Sequence, residues 1–180
     1  PDTILIGEIR DNETADIAVK MALTGHMVFS SLHTNDASSA IARFVDIGIP
    51  PLLLASSLNL VVAQRLVRKI CSRCKVSYTP SQEMVDQLKL PVKDAEKVKF
   101  HMGEGCVTCN GVGYQGRIGI FEMLNATREI RKLILKHAST MEIQDCAERE
   151  GMKTLRQAGI ELVLRGDTTI EQVLAATTEL

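Results

Sequence analysis

Aromatic residues and net charge are both scarce in this sequence. Of its 180 residues, 3% are aromatic, none is tryptophan, and the formal net charge at pH 7 is −1. Surfaces that bind nucleic acid combine clustered basic residues with aromatic side chains for stacking. A chain of near-zero net charge gains no general attraction to nucleic acid or to acidic membranes. The composition therefore predicts a protein without a nucleic-acid partner.

Neither a secretory signal nor a membrane span is evident from the sequence. The N-terminus lacks the charged, apolar and small-residue regions of a secretory signal. Residues 47–64 carry no charge, but Pro50 and Pro51 interrupt them. The remainder, Leu52–Ala63, would reach about 18 Å as a helix, against a hydrocarbon core of about 30 Å. We therefore expect a buried helix over Leu52–Ala63.

The stretch from residue 3 to residue 36 predicts a strand, a helix and a second strand. Thr3–Gly7 and Met27–Leu32 are short apolar runs of the kind that form buried strands. Between them, Asp11 or Asn12 can cap a helix that Gly25 ends. Its predicted buried face consists of the apolar residues of one helical stripe: Ile17, Ala18, Met21 and Ala22.

A carboxylate and an imidazole follow these two strands. Glu8 comes after the first strand and His33 after the second. Two strands joined by a helix form a parallel crossover, and ligands collect beyond the carboxyl ends of such strands. We therefore expect Glu8 and His33 to lie at one edge of the sheet, as a candidate active site. His26 precedes His33 by an odd number of residues, so the two should face opposite sides of a regular strand.

Four of the five cysteines form two CxxC pairs, Cys71 with Cys74 and Cys106 with Cys109. Two such turns are the usual source of the four thiolates of a closed structural zinc site. A redox dithiol or two disulfides are the alternatives, although redox CxxC motifs usually occur singly and cytosolic chains seldom keep disulfides. With four thiolates no coordination position stays open, so the expected metal is structural rather than catalytic.

The rest of the chain is predicted from its apolar and charged patterns and from residues that cap helices. Gln64–Ile70 and Arg117–Leu124 have the pattern of strands, and Lys89–Glu104 is charged and irregular, which favours a surface connection. The remainder is helical, with a capping box at Ser139 and Glu142. We expect three parts: residues 1–70, a cysteine-bearing part over 71–116, and residues 117–180.

Several motifs carry a resemblance to a known family. The segment ILIGEIRD resembles the Walker B segment of the bacterial ATPases that drive type II secretion and type IV pilus assembly, and TGHMVFSSLHTND resembles their histidine box. QRLVRKICSRC, the second CxxC pair and GYQGRIGIFEML are similar to the pilus-extension and type II secretion branch. EGMKTLRQAGIELVLRGDTTIEQVL resembles the family's C-terminal helices. The likeness covers essentially the whole chain.

The resemblance implies a fold and a chemistry. The fold would be α/β: the C-terminal part of a RecA-like phosphate-loop ATPase core, with a tetracysteine zinc subdomain and a C-terminal helical subdomain. Glu8 would support the magnesium ion and the attacking water, and His33 would lie near the terminal phosphate of ATP. His26 and Arg10 are secondary candidates for nucleotide binding; Arg10 could instead pair with Asp11 or Glu13.

The resemblance also implies an assembly. It would be a homo-hexamer in the cytoplasm, peripheral at the inner membrane, working with the platform protein of a pilus or secretion machine. The family's phosphate loop, aspartate box and N-terminal domain have no match in this sequence. We therefore expect part of a longer protein, inactive as an ATPase by itself. The alternative is a zinc-ribbon interaction module without enzymatic activity.

Overall fold

The computed structural model describes residues 1–87 and 99–177, and the chain groups into two compact units. Unit 1 contains residues 1–63 and 122–152, and unit 2 contains residues 64–121 and 153–180. The predicted three-part division stays a prediction. Among the described residues, no helix is long and apolar enough to cross a membrane.

Unit 1 begins with the predicted strand, helix and strand. Strand β1 spans Thr3–Ile6, helix α1 spans Asn12–Leu23, and strand β2 spans Met27–Ser30. The two strands pair in parallel, with Ile6 opposite Ser30. Asp11 caps α1 by accepting a hydrogen bond from the Thr14 N–H at 2.8 Å. The predicted crossover is therefore confirmed.

The predicted buried face of α1 is only partly right. Ala18 is buried, but Ile17 and Met21 are exposed, and Ala15 and Val19 take the buried positions. The stripe that meets the core is thus rotated toward the smaller side chains. Which stripe of α1 is buried depends on the side that neighbouring elements cover, and the sequence of α1 does not contain that information.

Two helices follow β2. Helix α2 spans Ala37–Ile47, is capped by Asp36 and ends at Gly48, whose φ of +102° is the left-handed conformation that glycine adopts easily. Helix α3 spans only Pro51–Ser57. The prediction of a helix over Leu52–Ala63 is therefore wrong in its second half. Leu58 is already extended, and the β-branched residues beyond it join a strand.

Strand β3 spans Leu60–Ile70 and pairs with strand β6, which spans Tyr114–Asn125. Both contain the strands predicted from sequence and extend beyond them. Helices α5 (Arg128–Leu135) and α6 (Thr140–Arg149) complete unit 1. The capping box at Ser139 and Glu142 is confirmed. The core of unit 1 is made of aliphatic side chains from its helices and strands, among them Ile9, Ile41, Leu54, Leu124 and Ile130.

Unit 2 contains an antiparallel pair of strands and a pair of helices. Strand β4 (Lys75–Tyr78) pairs with β5 (Phe100–Gly103), and helix α4 spans Gln82–Gln87. Helices α7 (Leu155–Leu164) and α8 (Ile170–Thr177) supply most of its core, around the buried ring of Phe100. The prediction of an irregular connection over Lys89–Glu104 is wrong for β5; residues 88–98 lie outside the described part.

Candidate active site and metal centre

The loop after β1 is held by backbone contacts on one side and presents charged side chains on the other. Ile9 is buried, and its N–H donates to the carbonyl of Ser31 at 3.0 Å. The hydroxyl of Ser31 donates to the carbonyl of Gly7 at 2.7 Å. The side chains on either side of buried Ile9 differ from it: that of Glu8 is partly exposed, that of Arg10 is exposed, and the two contact each other. Two hydrogen bonds thus tie the loop to Ser31, just beyond the last pair of the β1–β2 register, and the charged side chains of Glu8 and Arg10 lie at this carboxyl edge.

Glu8 and His33 meet at this edge. Nε2 of His33 lies 2.8 Å from Oε1 of Glu8, at a geometry that forms no hydrogen bond. The proximity predicted from the two strand ends is therefore confirmed, while the chemical role of these residues stays a prediction. A partly buried carboxylate beside an imidazole can orient water and accept its proton.

The loop that carries His33 is fixed at its far end by a residue that the sequence did not indicate. Glu122 on β6 is buried, and its Oε1 accepts the N–H of Ala37, the first residue of α2, at 2.8 Å. Asp36 accepts the N–H of Ser39 at 2.7 Å. A carboxylate at a helix N-terminus satisfies N–H groups that otherwise lack partners. A glutamate within an otherwise apolar predicted strand was the available signal that this side chain has a partner.

Arg10 is paired with Glu8 rather than with Asp11 or Glu13. Its Nε donates to Oε2 of Glu8 at 2.7 Å, and its Nη2 lies 2.6 Å from the same oxygen. Asp11 is occupied as the cap of α1. The hydrogen bond from Arg10 is the main cause that lowers the pKa of Glu8; burial, the next largest effect, opposes it, and the charges of Arg10 and His33 lower the pKa further.

His26 lies at the other end of β2. It precedes the strand, whereas His33 follows it. Its Nδ1 is 3.1 Å from the hydroxyl of Thr24 and 3.2 Å from the carbonyl of Met21, at the end of α1. The structure therefore does not bring His26 to Glu8 and His33.

The four cysteines of the two CxxC pairs form a cluster in unit 2. Their sulfur atoms all lie within 4.8 Å of one another. Measured pairs are 3.9 Å for Cys71 with Cys106, 3.8 Å for Cys74 with Cys109, and 3.7 Å for Cys106 with Cys109. A tetrahedron with Zn–S bonds of about 2.3 Å has S···S edges of about 3.8 Å. The spacing thus fits a four-thiolate zinc site, and the cysteines are free rather than joined as disulfides.

Backbone N–H groups point at two of the sulfur atoms. Cys109 Sγ accepts from the N–H of Cys106 at 3.2 Å and of Gly113 at 3.3 Å, and Cys74 Sγ accepts from Gly105 at 3.3 Å. Burial opposes ionisation of Cys109, but these donors outweigh it and lower its pKa to about 6. Burial raises the pKa of Cys74 to about 12. A bound dication favours the thiolate form of its ligands, so it would oppose the effect of burial on Cys74.

The chain is similar to known proteins over nearly its whole length. The sequence model of the family described as "Type II/IV secretion system protein" matches residues 1–175. The type IV pilus assembly ATPase PilB of Thermus thermophilus is 46% identical over 99% of this chain and 20% of its own length. Type II secretion system protein E of Pseudomonas aeruginosa is 45% identical over 99% of this chain and 35% of its own length.

A solved structure shares the fold. The crystal structure of the pilus retraction motor PilT with bound ADP superposes with a TM-score of 0.67 at 27% identity, covering 99% of this chain and 40% of that one. The chain therefore spans between 20% and 40% of the length of these three proteins. The α/β fold predicted from the sequence is thus found in a nucleotide-binding motor.

Proposed function

Because the chain belongs to the Type II/IV secretion system protein family, we propose that it is the C-terminal part of a hexameric ATPase that powers type IV pilus assembly or type II protein secretion. The observation that carries the proposal is the contact of Glu8 with His33 beyond the carboxyl ends of two parallel strands. Relatives of both machines have nearly equal identity to the chain, so the proposal includes both.

In this proposal the chain's residues act on the water that attacks ATP. Oε1 of Glu8, which has no hydrogen bond in the structure, accepts the proton of the water. The imidazole of His33, 2.8 Å away, contacts the terminal phosphate. Magnesium, when bound, would offset the charge of the phosphates. Phosphoryl transfer depends mainly on such positioning and charge stabilisation, so a side chain's placement matters as much as its identity.

Exposed apolar side chains support a longer protein around the β1–β2 pair. Leu5 is 79% exposed and Phe29, opposite it in the register, is 56% exposed. Parallel sheets are usually covered on both faces. We propose that other parts of the full-length protein cover this face and supply the phosphate loop, and that the chain alone neither binds ATP well nor hydrolyses it. Micromolar ATP affinity of the isolated chain in calorimetry would contradict this.

The cysteine cluster has a supporting role in the proposal. Cys71, Cys74, Cys106 and Cys109 would hold one structural zinc ion, and a subdomain over residues 71–116 would form around it. The last core strand and a C-terminal helical subdomain would follow. The full-length protein would work in the cytoplasm, peripheral at the inner membrane, against the platform protein of its machine. A zinc-ribbon module without enzymatic activity is not favoured, because the family match includes the Glu8 and His33 segment.

The test uses the full-length protein that supplies the phosphate loop. Glu8→Gln preserves size and hydrogen bonding but removes the charge that accepts a proton. We expect single-turnover ATP hydrolysis to slow by about 10²–10⁴-fold, with ATP affinity retained. Glu129→Gln is the matched control, since it removes a glutamate charge from helix α5, where Glu129 pairs with Lys132. Hydrolysis by Glu8→Gln at the rate of the control would refute the proposed function.

A further inference from the structure

The two oxygens of Glu8 have different surroundings. Oε2 is held by two nitrogens of one guanidinium, Nε of Arg10 at 2.7 Å and Nη2 at 2.6 Å. Oε1 is buried without a hydrogen bond and faces Nε2 of His33 at 2.8 Å. One oxygen is therefore fixed by the guanidinium, and the other faces the imidazole without a hydrogen bond to any of the described residues.

This division follows from the backbone. Ile9 is buried and anchored to Ser31, and its neighbours Glu8 and Arg10, two residues apart, contact each other outside the core. A glutamate side chain alone samples several rotamers, and fixing it has an entropic cost. A guanidinium is planar and keeps its donors in a rigid fork, so two of its nitrogens can restrain one oxygen in a way that a single ammonium cannot.

We propose that Arg10 is a positioning residue of the active site: by holding Oε2 of Glu8, it keeps Oε1 aimed at the place of proton transfer. The inference rests on the proposed function, because it gives Glu8 the role of proton acceptor. Arg10 itself does not touch the reacting atoms in this scheme. It acts through Glu8.

Because the ion pair of Arg10 with Glu8 is exposed, a positioning role of Arg10 can be distinguished from a role in stability. The side chain of Arg10 is 74% exposed and that of Glu8 is 22% exposed. An ion pair so open to solvent adds little to stability. Variants at Arg10 should therefore fold normally, and a defect in them would reflect the orientation of Glu8.

The first measurement needs no catalysis. Glu8 is titrated through its carboxyl carbon signal in ¹³C-glutamate-labelled chain, with the signal assigned by Glu8→Gln. The charged groups that face Glu8 are Arg10 from its own loop and His33 from the loop after β2. Since the hydrogen bond from Arg10 lowers the pKa of Glu8, Arg10→Gln should move the titration midpoint of Glu8 to higher pH. Lys20→Gln, which removes another 2.6 Å surface ion pair, should leave it unchanged.

The second measurement is single-turnover hydrolysis by the full-length protein across pH. Arg10→Gln should slow hydrolysis by about 10–100-fold, as expected for a misplaced reacting group, with ATP affinity unchanged. The acid limb of its rate profile should move to higher pH. Arg10→Lys should recover part of the rate, because it keeps the charge but loses the fork.

The results distinguish the two hypotheses. If Glu8→Gln keeps normal hydrolysis, the proposed function is refuted whatever Arg10 does. If Glu8→Gln hydrolyses ATP slowly, while Arg10→Gln keeps the wild-type titration midpoint of Glu8 and the wild-type hydrolysis rate, only the positioning role is refuted. Loss of ATP affinity in Arg10→Gln would also overturn it, since that result assigns Arg10 to nucleotide binding.

Discussion

Gly103 and Gly113 approach so closely that a Cβ atom on Gly103 would lie 2.0 Å from the carbonyl oxygen of Gly113. No side chain fits there, because real Cβ atoms do not come within 3.0 Å of backbone. The same carbonyl accepts the N–H of Cys71 at 3.0 Å, and the N–H of Gly113 reaches Cys109. The glycine contact thus brings the two CxxC turns together, and the clustering of the four cysteines depends on it.

We predict one zinc ion per chain by elemental analysis. Cys106→Ser should lose the metal, because a hydroxyl replaces one of the four thiolates. Unfolding of unit 2 should then become easier by more than about 4 kcal/mol, as is typical when a structural metal is lost. Cys146→Ser is the matched control, since Cys146 is the fifth cysteine and lies in the core of unit 1. A stable wild-type chain that contains disulfides and no zinc would contradict the prediction.

His33→Ala should affect hydrolysis more than binding in the full-length protein. His33 lies against one oxygen of Glu8 and makes its contact from an exposed loop, with 87% of its side chain open to solvent. We therefore expect near-normal ATP affinity and slower single-turnover hydrolysis, with a smaller defect than in Glu8→Gln. Parallel calorimetry and rapid-quench measurements on both variants test this order. An equal or larger defect in His33→Ala would assign the main proton-transfer role to the imidazole.

Truncation of Arg131 should destabilise unit 1. Its guanidinium donates to the carbonyls of Ala126, at 2.8 Å, and Ala55, and to the side chain of Asn59 at 3.3 Å. Arg131→Met leaves these acceptors without a donor and should cost about 1–3 kcal/mol in urea unfolding. The neighbouring Lys132→Met removes only an exposed ion pair and should cost little. Equal stability of the two variants would contradict this role.

The capping box of α6 should make that helix sensitive to acid. The backbone N–H and the hydroxyl of Ser139 both donate to Glu142 at 2.8 Å, which lowers the pKa of Glu142. A carboxyl whose pKa is lower in the folded state stabilises folding above its unfolded pKa, and this stability is lost as the pH falls through the folded value. Amide-exchange protection of α6 should therefore drop in acid, and Glu142→Gln should reduce that drop. Asp145→Asn, on the same helix outside the box, should not.

The parts of the fold that the sequence predicted correctly are those set by topology or by close spacing. Glu8 and His33 meet because parallel strands end at one edge, whatever the details of their side chains. The cysteines cluster because each CxxC turn already places two sulfur atoms side by side. Neither inference needed to know how helices pack.

What the sequence left undetermined depends on contacts between distant residues. The end of α3 and the start of β3 fall within an uncharged apolar run, where helix and strand have no distinguishing period. The pairing of Arg10 with Glu8 required knowing that Asp11 caps α1 and that Ile9 is buried. Glu122 lies 85 residues from Ala37, whose N–H it accepts, and a glutamate within an apolar strand indicates a need for a partner without identifying that partner.

The burial of Ile9 has a consequence for how this site can evolve or be redesigned. The apolar side chain and its bond to Ser31 fix the path of the loop, whereas the solvent-facing residues on either side contribute little to holding it. Folding and chemistry are thus assigned to alternate positions of one short segment. A combinatorial library at positions 8 and 10 could therefore explore new reactivities in a nearly constant scaffold, with few members lost to misfolding. The same library centred on position 9 would yield mostly insoluble protein.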